Sequence, residues 1–174
     1  FSEALDDYLP QSIELGRSFV QPRYWGLRSL DYLWYGIGAY IAAHPEVKYL
    51  FGPVSLSAGY PEQAKQKLIG FYQQQFGSWQ HLAQAKRPYL LSEETQNQVE
   101  ADFSQDYATC FKRLNHQLDQ LGVKVPTLYK QYSELCDDKG CHFIAFSVDA
   151  DFANCIDSLI TVSYTHHRAH ETVL

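Results

Sequence analysis

The chain has 174 residues with 45% hydrophobic and 15% aromatic content, which supports the core of one globular domain. Its formal net charge of -6 argues against a nucleic-acid binder, because displacing counterions from phosphates takes a basic surface. No apolar run reaches the roughly 18 residues of a membrane span, and the first residues lack a charged start followed by an apolar stretch, so the expected location is cytoplasmic.

In chain order, residues 12–20 (SIELGRSFV) alternate as a strand that ends before Pro22, where a proline stops ladder pairing. Leu30, Leu33, Trp34, Ile37 and Ile41 recur at helical spacing before Pro45 and predict a helix over residues 29–43 packed on a sheet. Residues 48–57 (KYLFGPVSLS) are β-rich but carry Gly52-Pro53 in the middle, which removes a ladder donor and predicts a bulge or a splayed strand.

A helix starting at Pro61 follows, with Ala64, Leu68, Phe71, Tyr72 and Phe76 as its apolar face and Gly77 as its end. The Gln-rich stretch 78–106 has little periodicity and reads as an insertion, with one short helix over residues 79–86. Tyr107, Phe111, Leu114, Leu118 and Leu121 mark a further helix closed by Gly122. A helical turn is expected over residues 126–135, and strands over 142–149 and 157–163. Interleaved strands and helices imply an α/β domain with a mixed central sheet.

Four cysteines are irregularly spaced, and only Cys136 and Cys141 with His142 approach a metal pattern. No second ligand pair completes it, so reduced thiols and no metal site are expected. The chain contains no Met and opens in mid-pattern with Phe1-Ser2-Glu3-Ala4-Leu5, so further chain is expected to precede it.

Several runs in order carry a resemblance: residues 14–22 (ELGRSFVQP) with Tyr24, Gly26 and the helix DYLWYGIGAY, then 49–55 (YLFGPVS), 125–132 (VPTLYKQY) and 149–157 (DADFANCID). They are similar to the GNAT-fold N-acyltransferases of ornithine-lipid synthesis and their hemolysin-like relatives, which are related to acyl-homoserine-lactone synthases. The resemblance implies a GNAT-like α/β fold lacking its first strands, as a partial domain over residues 1–162. It implies an acyltransferase moving a long, 3-hydroxylated acyl chain from acyl carrier protein to the α-amine of an amino acid such as ornithine, in bacterial lipid synthesis, peripheral to the inner membrane.

In that fold the thioester lies between two splayed parallel strands, here SIELGRSFV and KYLFGPVSL, and a backbone N–H at the splay polarises the carbonyl. The family's common glycine loop for the coenzyme A diphosphate corresponds to residues 25–30, where only Gly26 remains and Arg28 and Leu30 replace glycines. Close backbone approach to a diphosphate is thereby hindered, which favours acyl carrier protein over coenzyme A as donor. Arg23 and Arg28 are candidates for its single phosphate or its acidic side chains. Phe19, Val20, Gly26 and Ser29 on the loop and Ser55 on the second strand complete the expected donor-binding set.

For the chemistry, the resemblance implies that Glu14, on one strand with Arg17, accepts the amine proton or holds the acceptor's ammonium; a structural Glu14–Arg17 ion pair is the alternative. Tyr72 resembles the tyrosine that protonates the departing thiolate, a core tyrosine being the other reading. Tyr129, Asp149 and Asp157 lie in the family-specific part and are candidates for recognising the acceptor. Acyl-homoserine-lactone synthesis and a non-catalytic carrier-binding module are the rival functions. The ending from about Ser163, with His166, His167 and His170, resembles adapter read-through and is expected to be a non-native tail, without a metal site.

Overall fold

The computed structural model describes residues 1–17, 19–134 and 140–163; Cys136 and the tail histidines lie outside them. The described elements run β1 (Ser12–Glu14), α1 (Ser29–Ala43), β2 (Tyr49–Leu56), α2 (Glu62–Phe76), α3 (Glu93–Phe103), α4 (Tyr107–Gln120), α5 (Thr127–Glu134), β3 (Cys141–Asp149) and β4 (Cys155–Ser163). The four strands form one mixed sheet in the order β1-β2-β4-β3. The pair β1–β2 is parallel, and β4 is antiparallel to both β2 and β3. No described helix is long and apolar enough to cross a membrane.

Because partnered residues share a face, the register sorts the side chains. One face carries Leu50, Val54 and Leu56 of β2 with Ile156, Ile160 and Val162 of β4, and all six are buried. Helix α2 covers this face with Ala64, Leu68, Phe71, Tyr72 and Phe76, the spacing expected from the sequence. Tyr72 meets Phe143 at a ring-centroid distance of 4.4 Å and Tyr129 at 5.1 Å, so aromatic packing dominates the centre of the core.

Helix α1 touches this core through a narrower stripe than its spacing suggests. Ile41 is buried and Trp34 and Ile37 pack at the margin, with Trp34 donating to Gln131 at 3.2 Å and lying edge-on to Tyr132. Leu33, expected on the inner side, is 44% exposed.

The other face is covered only in part. A 3-10 turn at Glu3–Leu5 and a kinked six-residue 3-10 segment at Gly77–Leu82 place Leu5, Tyr8, Trp79, Leu82 and Ala83 against Ile144 and Leu159. A bulge between Phe143 and Ala145 supplies the extra residue that turns Ile144 into this second cluster. Trp79 stacks on His142 at 4.0 Å, and His142 Nδ1 pairs with the Ser78 hydroxyl.

Three expectations are corrected. The strand over residues 12–20 keeps only Ser12–Glu14, for a reason given below. The stretch 78–106 contains α3, where the Ser92 hydroxyl accepts from the Thr95 N–H as an N-cap and Val99 and Phe103 are buried. The last strand begins two residues earlier than expected, at Cys155.

Candidate active site

Parallel pairing of β1 with β2 stops abruptly. Residues 12, 13 and 14 partner 49, 50 and 51, and the Leu15 N–H donates to the Phe51 carbonyl at 2.7 Å. The next rung of a parallel ladder would bring the N–H of residue 53 to the Leu15 carbonyl. Residue 53 is proline and has no N–H. Beside it, Gly52 lets the Leu15 carbonyl come close, since a Cβ on Gly52 would stand 2.2 Å from that oxygen. Past Leu15 the chain turns away through Arg17, whose φ is +56°, while β2 runs on to Leu56 with its other edge fully paired to β4. Two adjacent residues of β2 thus open a gap between the strands.

Glu14 partners Phe51 and shares its face with Pro53 and Ser55 further along β2. Across the sheet that face carries Asp157 opposite Ser55, Ser147 opposite Asp157, and Asp149 opposite Cys155. Glu14, Pro53 and Ser55 are exposed. The uncovered part of the second face is therefore polar and acidic, and it begins at the gap. From Phe51 to Ser55 is about 13 Å at about 3.3 Å per residue.

Glu14 and Arg17 form no ion pair with each other among the described residues; the Glu14 carboxylate lies beside Gly16, where a Cβ would stand 3.4 Å from its Oε1. Ser55 Oγ donates to Asp157 Oδ1 at 2.6 Å, and the Cys155 thiol approaches the same oxygen at 3.7 Å. Burial and then the Asp157 charge push the Cys155 thiol up, which keeps it protonated and able to donate. Asp149 Oδ1 accepts from the N–H groups of Asp151 and Phe152, so one of its oxygens holds the β3–β4 turn. Ser55, expected with the donor set, and Asp157, expected with the acceptor set, thus meet directly.

Two expected contributors sit on the opposite face. Tyr72 and Tyr129 are both fully buried, beneath the helix-covered side, because each ring fills the centre of the core. The Tyr129 hydroxyl pairs with Ser158 Oγ, so Tyr129 supports β4 from behind and does not reach the open face. The Tyr72 hydroxyl lies outside hydrogen-bonding geometry to the Ser133 hydroxyl, which bonds Tyr107 and the Lys130 carbonyl. Burial, above all, raises the Tyr72 phenol well above its ordinary range. The geometry keeps that proton in place.

The expected donor loop lies beyond the gap. A 3-10 turn at Pro22–Tyr24 and Gly26, at φ +76°, lead into α1, whose N-cap is Arg28; the positive φ is what the glycine supplies. Ser29 Oγ donates to the Tyr24 carbonyl at 3.2 Å and Trp25 Nε1 to the Val20 carbonyl at 2.8 Å. Arg28 pairs with Asp31 at 2.8 Å and reaches the Tyr35 hydroxyl at 3.3 Å, while Arg23 lies over the Tyr24 ring at 4.6 Å. Phe19 is exposed and Val20 half-buried.

Residues 1–35 match the model of a family described as an acetyltransferase (GNAT) domain. The chain is 35% identical to a protein named glycine N(alpha)-acyltransferase from Bacteroides thetaiotaomicron, over 78% of this chain and 42% of that protein. A protein of the same name from Phocaeicola vulgatus is also 35% identical, over 78% of this chain and 44% of its own length. The chain therefore spans less than half the length of these curated relatives. No solved structure gives a significant match. The mixed sheet with helices on one face, opened between its two parallel strands, is a GNAT-like fold.

Proposed function

We propose that this chain forms the acyl-transfer site of an N-acyltransferase that moves an acyl group from a thioester to the α-amine of an amino acid. The carrying observation is the gap at Leu15 and Pro53, which opens onto a sheet face bearing Glu14, Ser55 and Asp157. A thioester carbonyl in the gap lies along the β1 side of β2 past Pro53, where the alternation of the ladder turns the Ser55 N–H toward the gap, and a backbone N–H there is the donor that stabilises a developing oxyanion. Glu14 takes one proton of the incoming ammonium, the freed amine forms the C–N bond as the C–S bond breaks, and the second proton that nitrogen loses as the amide forms passes to the released thiolate.

Asp157, oriented by Ser55, holds the acceptor's positive charge before attack. The names of the two relatives favour glycine as the acceptor, whereas the family resemblance of the sequence favours ornithine. For the donor we retain acyl carrier protein with a long 3-hydroxyacyl chain, its phosphate near Arg23 and Arg28, and we place the reaction in membrane-lipid synthesis. The test is an assay of the full-length protein with a 3-hydroxyacyl carrier protein and, separately, glycine and ornithine. Acylated glycine is the expected product; acylation of ornithine alone reverses the acceptor, and acylation of neither overturns the proposal.

A further inference from the structure

An amino acid brings a carboxylate to the open face as well as an ammonium. That face already carries Glu14, Asp149 and Asp157, and like charges repel the incoming carboxylate. None of the four strands contains Lys or Arg, so an offsetting cation has to come from outside them.

The loops at the two borders of the sheet supply cations. Lys86 and Arg87 precede Pro88, which bridges Ser147 on the outer side of β3. Arg17 follows β1 at the gap, three residues from Glu14. At attack the nitrogen of the amino acid is at Glu14, and its carboxylate follows after a single carbon. From β1 to β3 the sheet spans three strand spacings, about 14 Å at about 4.8 Å each. The outer pair lies beyond that distance, whereas Arg17 belongs to the same turn as Glu14.

The state of Arg17 fits a binding role. The Glu14 carboxylate lies beside Gly16, the chain neighbour of Arg17, yet Arg17 forms no ion pair among the described residues. Arg28, by contrast, is bonded to Asp31 and Tyr35, and Arg23 lies over the Tyr24 ring. Arg17 also holds φ +56°, a conformation that disfavours any residue with a Cβ, although Gly16 beside it could adopt such a φ freely. Backbone strain kept at an unpaired cation beside a reaction centre marks a side chain whose placement matters.

We propose that Arg17 binds the α-carboxylate of the acceptor while Glu14 receives its ammonium, so that the turn over residues 14–17 recognises both charged ends of an amino acid. The proposal rests on the acyl-transfer reading and adds the group that selects an amino acid over a plain amine. A guanidinium suits this task because its planar fork meets both carboxylate oxygens.

The experiment is calorimetric titration of the full-length protein with glycine and with glycinamide, which keeps the amine and lacks the carboxylate. It requires no turnover, so its failure is separate from failure of acyl transfer. An acidic face alone favours glycinamide, whose net charge is positive; with Arg17 in place, glycine should bind about ten-fold or more tightly, the worth of a charged hydrogen bond. R17G should shift the ratio about ten-fold or more toward glycinamide, and its glycine relieves the left-handed backbone, so folding is kept. R17K, a point charge without the fork, should retain part of the preference. Binding of glycine no tighter than glycinamide by the unaltered protein overturns the proposal. So does a preference that persists in R17G, or one lost in K86A/R87A with Arg17 in place. In the acylation assay, R17G should raise KM for glycine and leave the donor KM unchanged; the reverse result gives Arg17 to the donor and also overturns the proposal.

Discussion

The two sides of β2 behave differently although one strand makes both. Toward β4 it is paired along all eight residues, Tyr49–Leu56; toward β1 it is paired at three. The antiparallel side tolerates Pro53, since at that position the proline nitrogen points the other way and no rung with β4 is lost. The parallel side depends on it. A single proline, placed with the right parity, therefore leaves one interface intact and ends the other, and the sheet holds a gap without loss of its paired core.

The comparison sharpens into measurements. The largest effect is expected from Glu14→Gln, which keeps the shape of the open face and removes its base: kcat/KM should fall about a hundred-fold or more, the usual weight of a positioned proton acceptor. A fall of less than threefold would make Glu14 a bystander at the end of a short strand. Gly52→Ala tests the close approach from the other strand. With a Cβ 2.2 Å from the Leu15 carbonyl, backbone must shift, and the variant should lose about 1–3 kcal/mol in denaturant unfolding.

Pro53→Ala returns an N–H where the ladder stopped. If the gap exists because that donor is absent, the new amide should be protected from hydrogen exchange, and donor KM should rise by up to about ten-fold, the worth of one backbone hydrogen bond. An unprotected amide with unchanged KM would locate the cause of the splay elsewhere. Ser55→Ala removes the closer donor to Asp157 Oδ1 and leaves the Cys155 thiol, and the expected outcome is a several-fold higher KM for the amino acid with little change for the donor.

The smallest effect is expected on the paired side. Tyr72→Phe removes a buried hydroxyl that makes no hydrogen bond of its own, so stability should hold or rise slightly and turnover should persist. Collapse of kcat in that variant would give Tyr72 the proton-donor role that the sequence resemblance suggests.

The helices α1, α2 and α4 and the break at Gly52-Pro53 were legible because each rests on local spacing or a local conformational restriction. The length of β1 was not. Residues 15–20 have ordinary strand composition, and whether they pair depends on a proline nearly forty residues away. Helix α3 escaped because its apolar face is only Val99 and Phe103; Ser92 with Thr95 three residues on was the available sign of its start. For the candidate site, the alternation of β2 and β4 contained the meeting of Ser55 with Asp157, but only the register shows it. Tyr72 and Tyr129 illustrate the reverse, as helical spacing identifies an inward-facing ring and leaves open whether its hydroxyl reaches a substrate or a serine behind the sheet.

The outer edge of β3 has its own cover: the Val148 N–H bonds the Arg87 carbonyl, and the Tyr89 N–H bonds the Phe146 carbonyl. This segment blocks growth of the sheet at one end. Among the described residues the other border is β1, three residues long and adjacent to the gap. A strand added at the β1 border docks beside the reacting groups, so assembly of the sheet and accessibility of its chemistry meet at that border.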